Sequence, residues 1–326
     1  MTVIALRGRR MVGVPLVRRF AVRTVQAVMV VWGAFTVSFV VLYLVPGDSV
    51  SVLLGADGGT AVDAEQEAAL RESLNLDGSF LERYLHLLGS YLRGDFGHSV
   101  LYGTGVTQLI GNALGSTVVL TLAAMVLSIV FGITFALLVS FRPRSRVGQL
   151  LRILPAFGTA IPTFWIALIL LQLFSFQLRI FPSAGEGQWY SIVLPAVTIA
   201  VPYGAMIAQI ALDGILRARS EPYVATAVSK GLSPIAVHVR HVLPAALLPV
   251  ISVVGLHFGT LLAGAVISET VFSRQGLGSL MQQAVLQRDL PLVQGTIVTT
   301  AIFFVVVNLA TDAIYPLVDP RIKASR

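Results

Sequence analysis

The sequence predicts an all-α protein that crosses a membrane six times, with a small helical insertion outside the membrane. Three observations predict it. Of 326 residues, 56% are hydrophobic and only 12% charged, about half the roughly 25% charged share of soluble domains. Six stretches are long and apolar enough to cross about 30 Å of hydrocarbon, which takes roughly 20 helical residues. The Lys and Arg residues between those stretches collect on one side. There is no cysteine, which excludes disulfides and thiolate chemistry.

The first span is expected over about 25–45, after the basic stretch Arg7 to Arg23. That run is too long for the apolar part of a signal peptide. It ends at Val45-Pro46-Gly47-Asp48 without an Ala-x-Ala site, so it reads as a retained helix. The second span is expected over about 116–141. The third, about 151–176, contains Pro155 and Pro162. The fourth, about 192–216, contains Pro195 and Pro202. The fifth and sixth are expected over about 242–267 and 292–315. The internal prolines predict kinked helices whose freed carbonyls are satisfied by neighbours in a bundle.

Orientation follows from the loops. Arg7, Arg9, Arg10, Arg18, Arg19 and Arg23 precede the first span; Arg142, Arg144 and Arg146 follow the second. Arg217, Arg219, Lys230 and Arg240 follow the fourth; Arg321, Lys323 and Arg326 follow the sixth. The long segment between spans one and two instead holds nine acids against Arg71, Arg83 and Arg93. The positive-inside rule therefore places both termini in the cytoplasm. The expected layout is a basic cytoplasmic N-terminus at 1–24, the first span at 25–45 and an extracytoplasmic helical insertion at 46–115. A five-helix core at 116–316 follows, containing a cytoplasmic loop at 217–241, and a tail occupies 317–326. Within the insertion, Leu70, Leu74, Leu81, Tyr84, Leu85, Leu88 and Leu92 recur at helical spacing, broken near Asn75 to Gly78. That insertion is either a packed solubilising loop or a docking surface for an external partner.

The loop at 217–241 has strong local signals. Glu221 and Pro222 suit a helix start, and Lys230 suits a last turn. Gly231 suits the left-handed position that closes a helix, Ser233 an N-cap, and Pro234 a first helical position. Two short helices joined by a tight turn are expected, the second entering span five through Leu243-Pro244. On the first helix Tyr223, Ala227 and Lys230 share one face, and Ala225 and Ser229 are small residues on another. Such a pair either lies on headgroups, which calls for a larger apolar face, or acts as a lever pushed by a separate subunit.

Tyr223-Val-Ala-Thr-Ala-Val-Ser-Lys-Gly231-Leu-Ser, followed by His241-Val-Leu243-Pro244, resembles the EAA loop of ATP-binding-cassette importer permeases. The flavour is that of the first permease subunit of the dipeptide/oligopeptide/nickel group. The resemblance covers nearly the whole chain: Pro46-Gly47-Asp48, Arg93-Gly-Asp95-Phe-Gly97, Ile161-Pro162-Thr-Phe-Trp165, Phe181-Pro-Ser-Ala-Gly185, Glu269-Thr-Val-Phe272, Arg288-Asp-Leu-Pro-Leu-Val-Gln294, Asn308 with Asp312, Tyr315 and Asp319-Pro320-Arg321. Two positions depart from the group. Ala225 and Val228 stand where arginines are frequent, which puts the lever's polar contacts in question. Gln275 replaces a proline before Gly276-Leu-Gly278, which puts the stiffness of an outer loop in question.

The resemblance implies a heteromeric importer. This chain would pair with a second, similar permease. Two ATPases would receive the cytoplasmic helices, and an external binding protein would deliver cargo; the resemblance favours di- or oligopeptides and leaves nickel chelates, glutathione and sugars open. The chain itself has no Gly-x-x-x-x-Gly-Lys-[Ser/Thr] loop, so ATP and its magnesium would sit on the partners, with no cofactor and no nucleic acid on this chain. A secondary carrier driven by protons or ions would bury ionisable groups near the midplane; only His257 is central. A membrane hydrolase would need a nucleophile and base at matching depth, and no Gly-x-Ser-x-Gly, His-Glu-x-x-His or facing Asp pair occurs. Five scattered histidines suggest no metal site. Glu269, near the outer end of span five, and Asp312, near the inner end of span six, are expected within reach of an interface. Each is a structural anchor or, for Glu269, part of an outer gate. His257, with Gln172, Gln209 and Thr260, is either hydrogen-bonded structure or part of a watery path. Gly255, Gly259 and Ala263-Gly264 give span five a small-residue strip for packing in the bundle or against the second permease.

Overall fold

In the computed structural model, residues 16–44, 78–141 and 145–318 are described. They are almost wholly helical; their only β feature is an isolated bridge between His98 and Gly105. Helix α1 is Leu16–Leu44, α2 Phe80–Leu92 and α3 Val106–Phe141. Three short pieces follow: α4 Arg146–Leu151, α5 Leu154–Ala160 and α6 Thr163–Leu170. The last of these runs into a π-helical segment, Leu171–Gln177. Then come α7 Val193–Arg219, α8 Pro222–Ser229, α9 Pro234–Val237, α10 Leu243–Val271, α11 Leu277–Leu286 and α12 Leu290–Val318.

Five of the described helices are long and apolar enough to span a membrane, and the bent pair 146–160 and 163–177 makes a sixth when its two pieces are taken as one span. The third span is therefore broken rather than kinked, with a 101° bend. Pro162 explains the break: Ile161 is extended at ψ 128° and the Pro162 carbonyl starts α6. Pro202 and Pro249, in contrast, sit inside unbroken α7 and α10. Helices α1 and α3 begin well before the expected 25 and 116.

Helix α7 is the centre of the bundle. It packs along α3 and α10 and against α5 and α6, while α1 packs along α12. Gly132 and Gly204 bring α3 and α7 close: a Cβ on Gly132 would lie 2.7 Å from the Gly204 carbonyl. One apolar layer joins Leu120, Ala124, Ile199 and Leu261. Another joins Ala136, Ile215, Val242 and Val250 near the α8–α9 loop. A third joins Val106, Ile110, Leu277 and Leu292 at the opposite end. Buried hydroxyls donate to carbonyls of the preceding turn, as Thr121 to Thr117 and Ser128 to Ala124, each at 2.7 Å. Such bonds remove polar cost where no water is present.

The predicted features at 1–15, 45–77, 142–144 and 319–326 lie outside the described residues. So do the side chains of Arg18, Arg19, Asp312 and Tyr315.

Candidate functional site

The loop after α7 is an elbow whose local bonds match its sequence. Glu221 is extended at ψ 143° and Pro222 opens α8. The Gly231 amide donates to Val228 at 2.9 Å and the Leu232 amide to Ala227 at 3.4 Å. This is the paired closure of a Schellman turn, with Gly231 at φ +80°. The Ser233 hydroxyl then accepts from the Ala236 amide at 3.3 Å and Pro234 begins α9. A π-helical segment, His238–Val242, joins α9 to Leu243 and Pro244 of α10.

Burial divides α8 differently from the expected faces. Val224 and Ala227 are buried against Ile215, Ala218, Val237 and Val242. Ala227 is therefore a packing residue, three positions from Val224 on the inner stripe. Tyr223, Ala225, Val228, Ser229 and Lys230 remain exposed. Three ties that the sequence did not reveal hold the elbow. The Arg219 guanidinium donates to the Ser140 carbonyl at the end of α3. Phe141 stacks on His238 with ring centroids 4.6 Å apart. The Tyr223 hydroxyl lies 3.4 Å from the His241 carbonyl. Their partners lie up to about a hundred residues apart in the chain, so no local pattern could pair them.

Beside the elbow, a cleft of about 850 Å³ opens along the α7–α10 seam. Asp213, Arg217, Glu221, Tyr223 and His241 give it polar walls, with Ile210 and Leu248 between them. Farther along the same seam Tyr203, Met206 and His257 meet Met125 and Ser128 of α3 around a much tighter space. There the Tyr203 hydroxyl donates to the Thr260 carbonyl at 2.8 Å, and His257 Nδ1 lies 3.3 Å from Thr260 Oγ1. The structure thus brings His257 and Thr260 together and adds Tyr203. Gln209 is half-buried and lines neither space, and Gln172 is exposed on the π-helical segment. The glycine strip packs within the bundle: Gly255 faces Thr311 and Gly259 faces Phe304, both on α12.

At the far end of α10, as expected for an outer-end residue, Glu269 is fully buried within the protein. Its carboxylate accepts from Thr117 Oγ1 at 2.6 Å and from the Gly278 and Ser279 amides at 2.8 and 3.3 Å. The negative group thereby satisfies the open amides of α11. A Cβ on Gly276 would lie 2.1 Å from this carboxyl, so the glycine is a steric requirement. Alongside, Arg274 pairs with Glu186 at 3.2 Å and donates to Ser116 at 3.2 Å; Ser116 also donates to Glu186. Asp289, likewise buried, accepts from Ser99, from the Leu101 amide and from the Leu292 amide, fixing the loop before α3 to the start of α12. Asn308 bonds the Phe304 carbonyl of its own helix at 2.9 Å.

Comparisons with known proteins agree with this architecture. Residues 128–324 match the family model of the binding-protein-dependent transport system inner membrane component. The chain is 37% identical over 319 residues to a probable peptide ABC transporter permease, y4tP, of Sinorhizobium fredii, covering 95% of this chain and 99% of that one. It is 30% identical over 285 residues to the glutathione transport system permease GsiC of Escherichia coli K12, covering 87% and 92%. Its fold resembles a chain of the inward-facing MetNI methionine ABC transporter, with a TM-score of 0.53 at 16% identity, covering 65% of this chain and 97% of that chain. The secondary-carrier alternative is set aside by this kinship. With more than half of the chain matched by one model and nearly all of it by a relative, the chain belongs to the binding-protein-dependent transport system inner membrane components, as a permease subunit of an ATP-binding-cassette importer.

Proposed function

We propose that this chain forms half of the translocation path of an importer for di- or oligopeptides, and that α8 and α9 carry the stroke of a separate ATPase into the bundle. The single observation that supports the lever is the elbow's rigidity. A closed Schellman turn sits between α7 and α10, and Arg219 and Phe141 tie it to α3. A displacement applied to α8 then moves three spanning helices rather than bending a loop. The coupling surface is Glu221, Tyr223, Ala225, Lys230 and Gly231, with Ser233 and Pro234 at the turn and Leu243 and Pro244 at the entry to α10. Ala227 supports it from beneath.

In this reading a second, homologous permease completes the path, two ATPases hold ATP and magnesium, and an external binding protein delivers cargo. Both termini face the cytoplasm. Residues 46–115 lie on the other side of an inner membrane, and 116–316 form the core. The seam from Tyr203, His257 and Thr260 to Asp213 and Arg217 is this chain's wall of the path. Glu269 holds the outer end in place. The peptide class rests on the names of two relatives, a peptide permease and a glutathione permease.

The test uses the whole complex in vesicles. Labelled di- and oligopeptides should enter only with ATP, the partner subunits and the binding protein. In the same complex Ala225→Cys should crosslink to an ATPase subunit, and the cysteine-free background of this chain makes that product assignable. Uptake driven by an ion gradient with this chain alone, or a residue 225 reached only by lipid probes, would defeat the proposal.

A further inference from the structure

Helix α2 has three stripes, each repeating at i, i+4, i+7 and i+11. Phe80, Tyr84, Leu87 and Tyr91 form the first. Leu81, Leu85, Leu88 and Leu92 form the second, and Glu82, His86, Gly89 and Arg93 the third. At 100° per residue, the leucine stripe lies between the other two. The aromatic stripe is already used. Phe80 meets Phe39 and Tyr43 of α1, Tyr84 meets Phe35 and Phe39, and Tyr91 meets Phe35, all with centroids between 4.9 and 5.6 Å. The Tyr84 hydroxyl and Thr36 Oγ1 are 2.9 Å apart. Every one of these α1 residues lies inside its apolar span, 21–44. A helix that touches side chains at that depth is within reach of the bilayer.

Among the described residues most of the leucine stripe is uncovered, with Leu88 half-buried. Leu81, Leu85 and Leu92 are exposed, the last at 81%. Helix α1 exposes its own apolar face at Val37, Val41 and Leu44, a face that a membrane component turns to lipid. The stripe contains no hydrogen-bonding group. Protein hot spots are rich in Trp, Tyr and Arg and poor in Leu, so a bare leucine row suits acyl chains better than a protein partner. The wide apolar arc opposite a charged stripe is the pattern of an interfacial helix.

We propose that α2 is such a helix. Leu81, Leu85, Leu88 and Leu92 sit among the acyl chains of the leaflet that meets the C-terminal end of α1, with Glu82, His86 and Arg93 turned to headgroups and water. The helix then fixes the height of the loop that Asp289 holds to α12. This assignment is independent of the cargo and of the elbow.

The experiment places an environment-sensitive fluorophore on Leu85→Cys, and separately on Leu92→Cys and His86→Cys, in the assembled complex in phosphatidylcholine vesicles. At 85 and 92 the emission should shift to the blue, and nitroxide on the lipid acyl chain should quench it several-fold more than aqueous iodide. At 86 the preference should reverse. Stronger quenching by iodide at 85 and 92 would overturn the proposal. Protection from both quenchers would also overturn it, because it would show that a protein covers the stripe. Agreement between two stripe positions guards against a local disturbance at either one.

Discussion

Gly231 holds a backbone conformation, φ +80°, that L side chains rarely adopt. Nothing crowds its Cβ direction, so a substitution there strains the turn without a clash. Gly231→Val should cost about 1 kcal/mol or more and loosen the Schellman closure. Partner ATP hydrolysis should persist while uptake falls, and normal uptake by this variant would refute the rigid-elbow reading. Gly276 presents the opposite case, since its constraint is space. Gly276→Ala must displace the Glu269 carboxyl and should lower the melting temperature of the solubilised complex. Glu269→Gln keeps the shape but turns an amide N–H toward donors, costing about 1.5–3 kcal/mol. Because the two residues touch, their double variant should be less destabilised than the sum of the singles. Gly231 was legible in sequence because its neighbours carry the whole signal. For Glu269 an anchoring role was legible but its partners were not, because Thr117 lies about 150 residues away and the motif gives no hint that α11 folds back over it.

Among the elements, the apolar runs marked the long apolar helices but not their ends. Hydrophobicity reports where lipid lies, whereas a helix continues for as long as its backbone bonds do, so α1 and α3 extend past their greasy stretches. The break in the third span was foreshadowed by Pro162, yet Pro202 and Pro249 have the same composition signal without breaking their helices. Neighbouring helices decide that outcome. Helix α2 is fixed at its start by a reciprocal capping box between Ser79 and Glu82. The Glu82 carboxyl is held below the ordinary carboxylate range, first because the Ser79 amide donates to it and then because the Ser79 hydroxyl does. A lowered folded pKa means the cap is fully present above the ordinary value and is lost as pH falls through the lowered one. Amide exchange at 82–84, corrected for its intrinsic pH dependence, should therefore quicken on acidification. Ser79→Ala should raise it several-fold at neutral pH and weaken that added acid response, since the amide of residue 79 still donates to Glu82.

On the scale of the whole molecule, charge placement predicts topology. Ser325→Cys should react with an impermeant maleimide in inside-out vesicles and not in right-side-out ones; the reverse result would invert the layout. The same molecule contains a mismatch of lengths. Helix α3 has 36 residues, about 54 Å at 1.5 Å each, against about 30 Å of hydrocarbon. A rod so much longer than the oil around it is thick must lean or stand proud. One of its tips is where Ser140 and Phe141 grip the elbow. Lipid tails of different length should therefore change how far that tip emerges, and the number of ATP molecules consumed per cargo delivered should drift with bilayer thickness even though no residue has been altered.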